Sequence, residues 1–395
     1  MKTVIRINPL YSLLLGLYTL MPLVDSMSGA FHDVYPIGQI YRIVMFIYMF
    51  ILLARNSRKE FLHVLIPFMM FIVIQYMISS GYRTKSIQDV VKLFTPIIAI
   101  NLLKILLNKR EINKKSIFRV LNVWSIAYPL LIIIPGILGL GENAYAGIGW
   151  KGYFYAVNEI SFIMSSLVMY RTWRLYEDLN IRNALILGMS CFSIAMMGTK
   201  TGYATIVVFG VLFVVLYLNN ASYKKILKLI TFLALLLTAS MLGFGKMKEL
   251  TAAIFDRWIY QRDVYSYSTI DFLTSHRLRR FTQAFSIFWG GKPWYPFIGW
   301  GFGGEIAGFP NLEMDFPDLL FRTGFFGLLY VCLFYIRKTF SVCKKNLWGL
   351  FIIMWSMALA FGAGHVIFYG QSGMMLALNC TYVMFTERES RKINE

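Results

Sequence analysis

The side chains of this sequence that could do chemistry are mostly basic, and they fall at one depth. Arg42, Lys92, Glu159, Lys200, Arg322 and His365 lie within or at the edge of apolar runs, each near the same end of its run. A charge at membrane depth is costly and needs a partner or a use. Between two such runs His276, Arg277, Arg279 and Arg280 stand nearly consecutively. Arg and Lys bind phosphate oxygens through charge-assisted hydrogen bonds, so the grouping points to an anionic ligand. Fixed cations beside a departing anion lower its barrier. A histidine titrates near neutrality and can accept a proton. On this chemistry Arg42, Lys200, Arg280 and Arg322 are the candidates for holding the anion. Arg277, His276, His365 and Glu159 are the candidates for catalysis, with Asp315 behind them. Lys104 sits at the opposite end and can snorkel to that surface.

Plainer readings exist for each residue. Lys92, Lys200 and Arg322 lie near run ends, where snorkelling explains them. Arg42 and Glu159 could neutralise one another. Glu313, Asp315 and Asp318 match no metal-binding loop and have no His/Cys cluster beside them, so no metal is expected. N-capping of the following helix is the expected role of Asp315 or Asp318. Gly299, Gly301, Gly303 and Gly304 resemble a phosphate-cradling loop, but without a strand–helix context a tight turn is the simpler reading.

The elements that must position these groups are apolar runs long enough to cross a bilayer. Twelve are expected, at 9–24, 35–54, 61–78, 90–107, 117–140, 153–170, 182–198, 200–218, 226–243, 319–336, 347–363 and 366–386. More than half of the 39 Lys and Arg residues fall in alternate short gaps between the runs. The other short gaps hold only Arg83, Lys85, Lys151 and Lys200. By the positive-inside rule both termini are cytoplasmic and 244–318 forms a long loop on the opposite side. The first run reads as an anchor and not as a cleaved signal peptide. The loop is rich in Phe, Trp and Tyr, whose faces could meet sugar rings or anchor it at the interface. Ser275–Trp289 reads as an amphipathic helix N-capped by Ser275 and stopped by Gly290-Gly291, and Glu249–Tyr260 as a second. Both are expected to lie at the membrane surface, apolar face down.

Composition agrees with an all-α polytopic membrane protein in a single membrane domain, 1–395. Apolar residues make up 57% and charged residues 15% of the chain, and mean hydropathy is +0.59. A soluble surface needs far more charge. The net charge of +19 flanks apolar runs and does not suggest a nucleic-acid partner. Cys191, Cys332, Cys343 and Cys380 have no paired spacing and read as inert thiols.

Several stretches resemble the O-antigen polymerase and ligase superfamily, and most closely its Wzy-type polysaccharide polymerases. They are GTKTGY (Gly198–Tyr203), SHRLRRFTQAFSIFWGGKPWYPFIGWGFGG (Ser275–Gly304) and EMDFPDLLFRTGFFGLLY (Glu313–Tyr330), with GYFYAVNEIS (Gly152–Ser161) and GHV (Gly364–Val366). The likeness spans roughly 150–370; the first 140 residues match in hydropathy alone. It implies a glycosyltransferase without cofactor. Glycan repeat units carried on undecaprenyl pyrophosphate would be joined at the periplasmic face of a bacterial inner membrane. It implies membrane lipid as surroundings and leaves a chain-length regulator protein open as partner. By the resemblance Arg277 is the family's loop arginine. Lys200 is its basic residue at the start of a crossing, where an Arg is common. O-antigen ligases tend to carry a His before the crossing that follows the loop, where this chain has Glu313 and Asp315, which favours the polymerase. A flippase of lipid-linked sugars is the alternative from another class.

Overall fold

The computed structural model describes residues 8–219 apart from 33, 80 and 146–147, then 259, 262–263, 274–340 and 347–393. The expected crossing at 226–243 lies outside the described residues, as does nearly all of the expected helix at 249–260. Eight helices precede that gap: α1 (Pro9–Ala30), α2 (Ile37–Asn56), α3 (Arg58–Ile78), α4 (Arg83–Asn108), α5 (Lys114–Ile137), α6 (Val157–Glu177), α7 (Ile181–Met197) and α8 (Lys200–Asn219). After it come α9 (Arg277–Gly290), a single turn α10 (Tyr295–Ile298), α11 (Asp315–Tyr335), α12 (Leu347–Gly362) and α13 (Gly370–Ile393). Several start on side-chain caps: Asn8, Ser57, Asn113 and Asn180 each accept a backbone N–H of the first turn. The gap at 141–152, expected as a loop, is an antiparallel hairpin, β1 (Glu142–Tyr145) and β2 (Ile148–Gly152), tied by Lys151 to Glu142 at 2.7 Å.

Among the described residues seven helices are long and apolar enough to cross a membrane: α1 to α5, α8 and α11 with the π-helical turn after it. Helices α7 and α12 are apolar but shorter. Helices α6 and α13 are too polar to qualify, and the reason is their place. Ser161, Ser165, Ser166, Arg171 and Thr172 on α6, and Gln371, Ser372, Asn379 and Thr381 on α13, are buried inside the bundle. Asn379 donates to Ser166 and Ser356, and Arg171 to Ser125. A helix surrounded by helices meets protein in place of lipid, so its polar groups can be satisfied internally. Helix α4 packs against α13 at this centre, while α3 is the most exposed span.

Helix α11 is broken at Gly324, which has φ 67° and ψ −172°. That backbone region is open essentially to glycine alone. The break frees the carbonyls of Phe321 and Arg322, and the turn after α10 takes them: Trp300 N–H donates to Phe321 (3.0 Å) and Gly301 N–H to Arg322 (3.1 Å). Gln75 Nε2 also donates to the Arg322 carbonyl at 3.3 Å, while its Oε1 accepts from Phe302 N–H at 2.7 Å. Gly299, at φ 75°, lies so close that a Cβ there would stand 2.3 Å from the Arg322 carbonyl carbon. The glycine-rich segment is thus a tight turn strapped onto a broken helix, and the N–H groups of 300–301 are already used; it is not a phosphate cradle.

Two further expectations are corrected near α9. Ser275 does not cap it: Ser275 and His276 are both left-handed (φ 51° and 60°), and His276 holds the N-cap position without a side-chain capping bond. The chain turns sharply there because the Ser275 and His276 carbonyls both serve Arg280, through its guanidinium and its backbone N–H. The apolar face of α9 is only partly turned outward. Ala284 and Phe288 are buried, Phe281 and Phe288 pack on Phe321 of α11, and Trp300 stacks between Phe321 and Phe309. Leu278, Phe285 and Trp289 remain exposed. The aromatic face of α9 is thus divided between contact with α11 and exposure.

Candidate functional site

The break in α11 and the left-handed entry to α9 deliver three arginines to one segment, 305–313. Arg277 and Arg280 lie one turn apart on α9 and straddle Glu313: Arg277 Nη2 is 3.5 Å from Oε2 and Arg280 Nη1 3.5 Å from Oε1. Arg280 also donates to the Asn311 carbonyl at 2.8 Å, and Arg277 to the Gly362 carbonyl at 2.6 Å. Arg322 on α11 donates to Asn311 Oδ1 at 3.0 Å and faces Glu305 at 3.4 Å and Asp318 at 3.8 Å. Each arginine therefore arrives with a carboxylate. Glu313 and Glu305 are both on turns with side chains 35% exposed, so an incoming anion can exchange with them.

His365 borders this group. It stands at φ 61° just after Gly364 and packs on Tyr369 with ring centres 4.3 Å apart. Both ring nitrogens are buried without a hydrogen-bond partner. Burial pushes its pKa down to about 4, with Arg277 and Arg322 acting in the same direction and Glu313 opposing them. The imidazole is therefore neutral at pH 7, and its burial beside two arginines disfavours its protonation. Asp315 holds the segment in place and does not cap α11, whose N-cap is Met314. Its carboxylate accepts the N–H groups of His365, Val366 and Ile367 at 2.8, 2.7 and 2.7 Å. Asp318 does not hold the N-cap position either: from inside the helix it reaches back to accept the N–H groups of Leu312 and Met314.

Arg42 belongs to a second network. It pairs with Asp25 at 3.2 Å, and Asp25 accepts from the Tyr128 hydroxyl at 2.7 Å. Glu159, in the first turn of α6, stands off Arg42 within electrostatic reach of it, Asp25 and Lys92. The simple Arg42–Glu159 pairing is thus replaced by one with Asp25. Asp25 was missed because it falls just past the expected end of the first run, whereas α1 continues to Ala30 and buries it completely. Its signal was an acid, one of two with Asp33, in the short gap just before the run that carries Arg42. Lys92 pairs with Asp89 at 2.9 Å. Lys200 opens α8, and its neighbours Thr199 and Thr201 both hydrogen-bond Ser161, two residues beyond Glu159. Lys200 accordingly lies on the Glu159 side.

Tyr369 lies between the two networks, within electrostatic reach of Glu159 on one side and of Arg322, Asp315 and Asp89 on the other. The structure so gathers Arg277, Arg280, Arg322 and His365 into one site. Arg42 and Glu159 form an adjoining site across Tyr369. His276 sits at the head of α9 beside Arg277. Neither of the two cavities described for the molecule is lined by these arginines; both lie along α3. Among the described residues no cluster of His, Cys, Asp and Glu could hold a metal ion. No family model matches the chain, and neither a curated protein nor a solved structure matches it.

Proposed function

We propose that the protein is a glycan polymerase of the Wzy type, joining oligosaccharide repeat units carried on undecaprenyl pyrophosphate at the periplasmic face of a bacterial inner membrane. In this reading it crosses the membrane about twelve times, with both termini cytoplasmic and 244–318 periplasmic. The observation that carries the proposal is the convergence of Arg277, Arg280 and Arg322 on Glu313 and Asn311 beside the buried His365. Separate segments supply these groups, and a diphosphate needs several such donors at once. Glu313 would hold the place of a phosphate until substrate arrives.

The transfer is written as follows. An acceptor hydroxyl oxygen attacks C1 of the donor sugar, the C1–O bond to the diphosphate breaks, and its electron pair leaves with the diphosphate. Arg277, Arg280 and Arg322 stabilise that developing charge. The hydroxyl proton passes to a histidine, to His276 or to His365 once the bound diphosphate offsets the Arg277 and Arg322 charges that disfavour its protonation, with Glu159, Arg42 and Lys200 bordering the acceptor side. No cofactor enters. One observation favours a second reading, a flippase of lipid-linked sugars: a discontinuous helix such as α11 is common in transporters.

Deletion of the gene tests both. Loss of a polymerase leaves lipid A–core capped with one repeat; loss of a ligase leaves long chains on the carrier lipid; loss of a flippase leaves single units facing the cytoplasm. Either of the last two results overturns the proposal.

A further inference from the structure

A cavity of about 180 Å³ opens between α3 and α11, directly beside the helix break. Its walls are Pro67, Met70, Phe71 and Ile74 on one side and Phe326 and Tyr330 on the other. At one end stand Gln75 and Thr323, and the Tyr330 hydroxyl is the other polar group of the lining. The hydrogen bonds of Gln75 and Thr323 are already made. Gln75 is shared among the Arg322 carbonyl, Phe302 N–H and the Ser86 hydroxyl, and the Thr323 hydroxyl donates to Leu319. Apart from the Tyr330 hydroxyl the remaining lining is apolar, so the cavity suits an aliphatic ligand.

Its position says which. Both walls belong to helices long and apolar enough to cross a membrane, and α3 is the most lipid-exposed of them, with Met70 57% exposed. From Pro67 to Gln75 the helical rise is about 12 Å, close to half of a hydrocarbon core of about 30 Å. The groove so covers one leaflet's depth and ends where Thr323 follows Arg322. An amphiphile with its anionic head at Arg322 would lay its chain here.

We propose that the α3–α11 groove holds the first isoprene units of the lipid diphosphate donor. The proposal rests on the polymerase reading for the identity of the head group, and on groove geometry for the chain. Filling the groove by Ile74→Trp should raise the apparent KM for a long polyprenyl donor by about tenfold, the worth of about two buried methylenes. It should leave the rate with a methyl diphosphate donor, which carries no isoprene unit, unchanged. Val207→Trp, on the exposed face of α8, is the control and should change neither. Equal effects of Ile74→Trp on both donors, or on neither, overturn the groove.

Binding is measured separately in vesicles of phosphatidylglycerol and phosphatidylethanolamine, with a diazirine-bearing polyprenyl diphosphate. Labelling should fall on 67–75 and 323–330 and be competed by unlabelled polyprenyl diphosphate, not by added phosphatidylglycerol. Labelling elsewhere, or equal competition by phospholipid, overturns the proposal. Labelling as expected in a protein that transfers no glycan upholds the groove and sinks the polymerase reading.

Discussion

Replacing Gly324 by alanine probes the break in α11 that aims Arg322, and its cost can be worked from the coordinates. At φ 67° and ψ −172° a side chain is strained in any surroundings, at roughly 3 kcal/mol. A Cβ would in addition stand 2.1 Å from the Phe297 carbonyl carbon and oxygen, which are backbone atoms and cannot swing aside. Relief requires either the α10 turn to retreat or α11 to straighten. Both pull Trp300 N–H, Gly301 N–H and Gln75 away from the Phe321 and Arg322 carbonyls, at about 1 kcal/mol for each bond. The expected loss is about 3 to 6 kcal/mol, a large share of a typical folding free energy. Unfolding free energy in detergent is the assay. Gly299→Ala attacks the same contact from the opposite wall, so the double variant should lose clearly less than the sum of the two. A Gly324→Ala protein within about 0.5 kcal/mol of the parent, or strict additivity, would refute the account of the break.

Asp315→Asn should loosen 364–367, because an amide presents its own N–H groups to three backbone donors now held by a carboxylate; hydrogen exchange at His365, Val366 and Ile367 should rise at least tenfold, and unchanged exchange would contradict it. The His365 pKa, near 4 in the fold against an ordinary 6.5, means that between these values the unfolded chain binds a proton the folded one refuses. Stability therefore rises with pH across this window and is eroded as pH falls through it, by on the order of 3 kcal/mol in all. In His365→Leu that part of the pH dependence should vanish, and unfolding free energies at pH 4.5 and 7.5 would expose a wrong sign or an unaltered slope. Arg277→Ala should abolish long glycan chains while protein abundance persists; normal chain lengths on a gel would remove Arg277 from the site. Glu313→Gln frees two guanidinium groups and should tighten inorganic diphosphate binding by calorimetry, with weaker binding counting against the placeholder role.

Much of this molecule is fixed by local sequence. Apolar runs set the presence of eleven of the expected helices, with ends that differ from the observed ones by up to seven residues, because chain length and hydropathy act within one segment. The placement of Arg42, Glu159, Lys200, Arg322 and His365 toward one end of their runs follows from the same counting. Partnership does not. Asp25 came to Arg42 only because α1 ran past its apolar stretch and α5 brought Tyr128 against it. Glu313 met Arg277 and Arg280 through two left-handed residues at the start of α9. Asp315 left its own helix uncapped to hold the backbone before α13, and Arg322 was aimed by a glycine break whose freed carbonyls needed N–H donors from another turn. Run lengths and caps are local quantities, whereas pairing of buried charges and freed backbone groups depends on which segments the packed bundle makes neighbours.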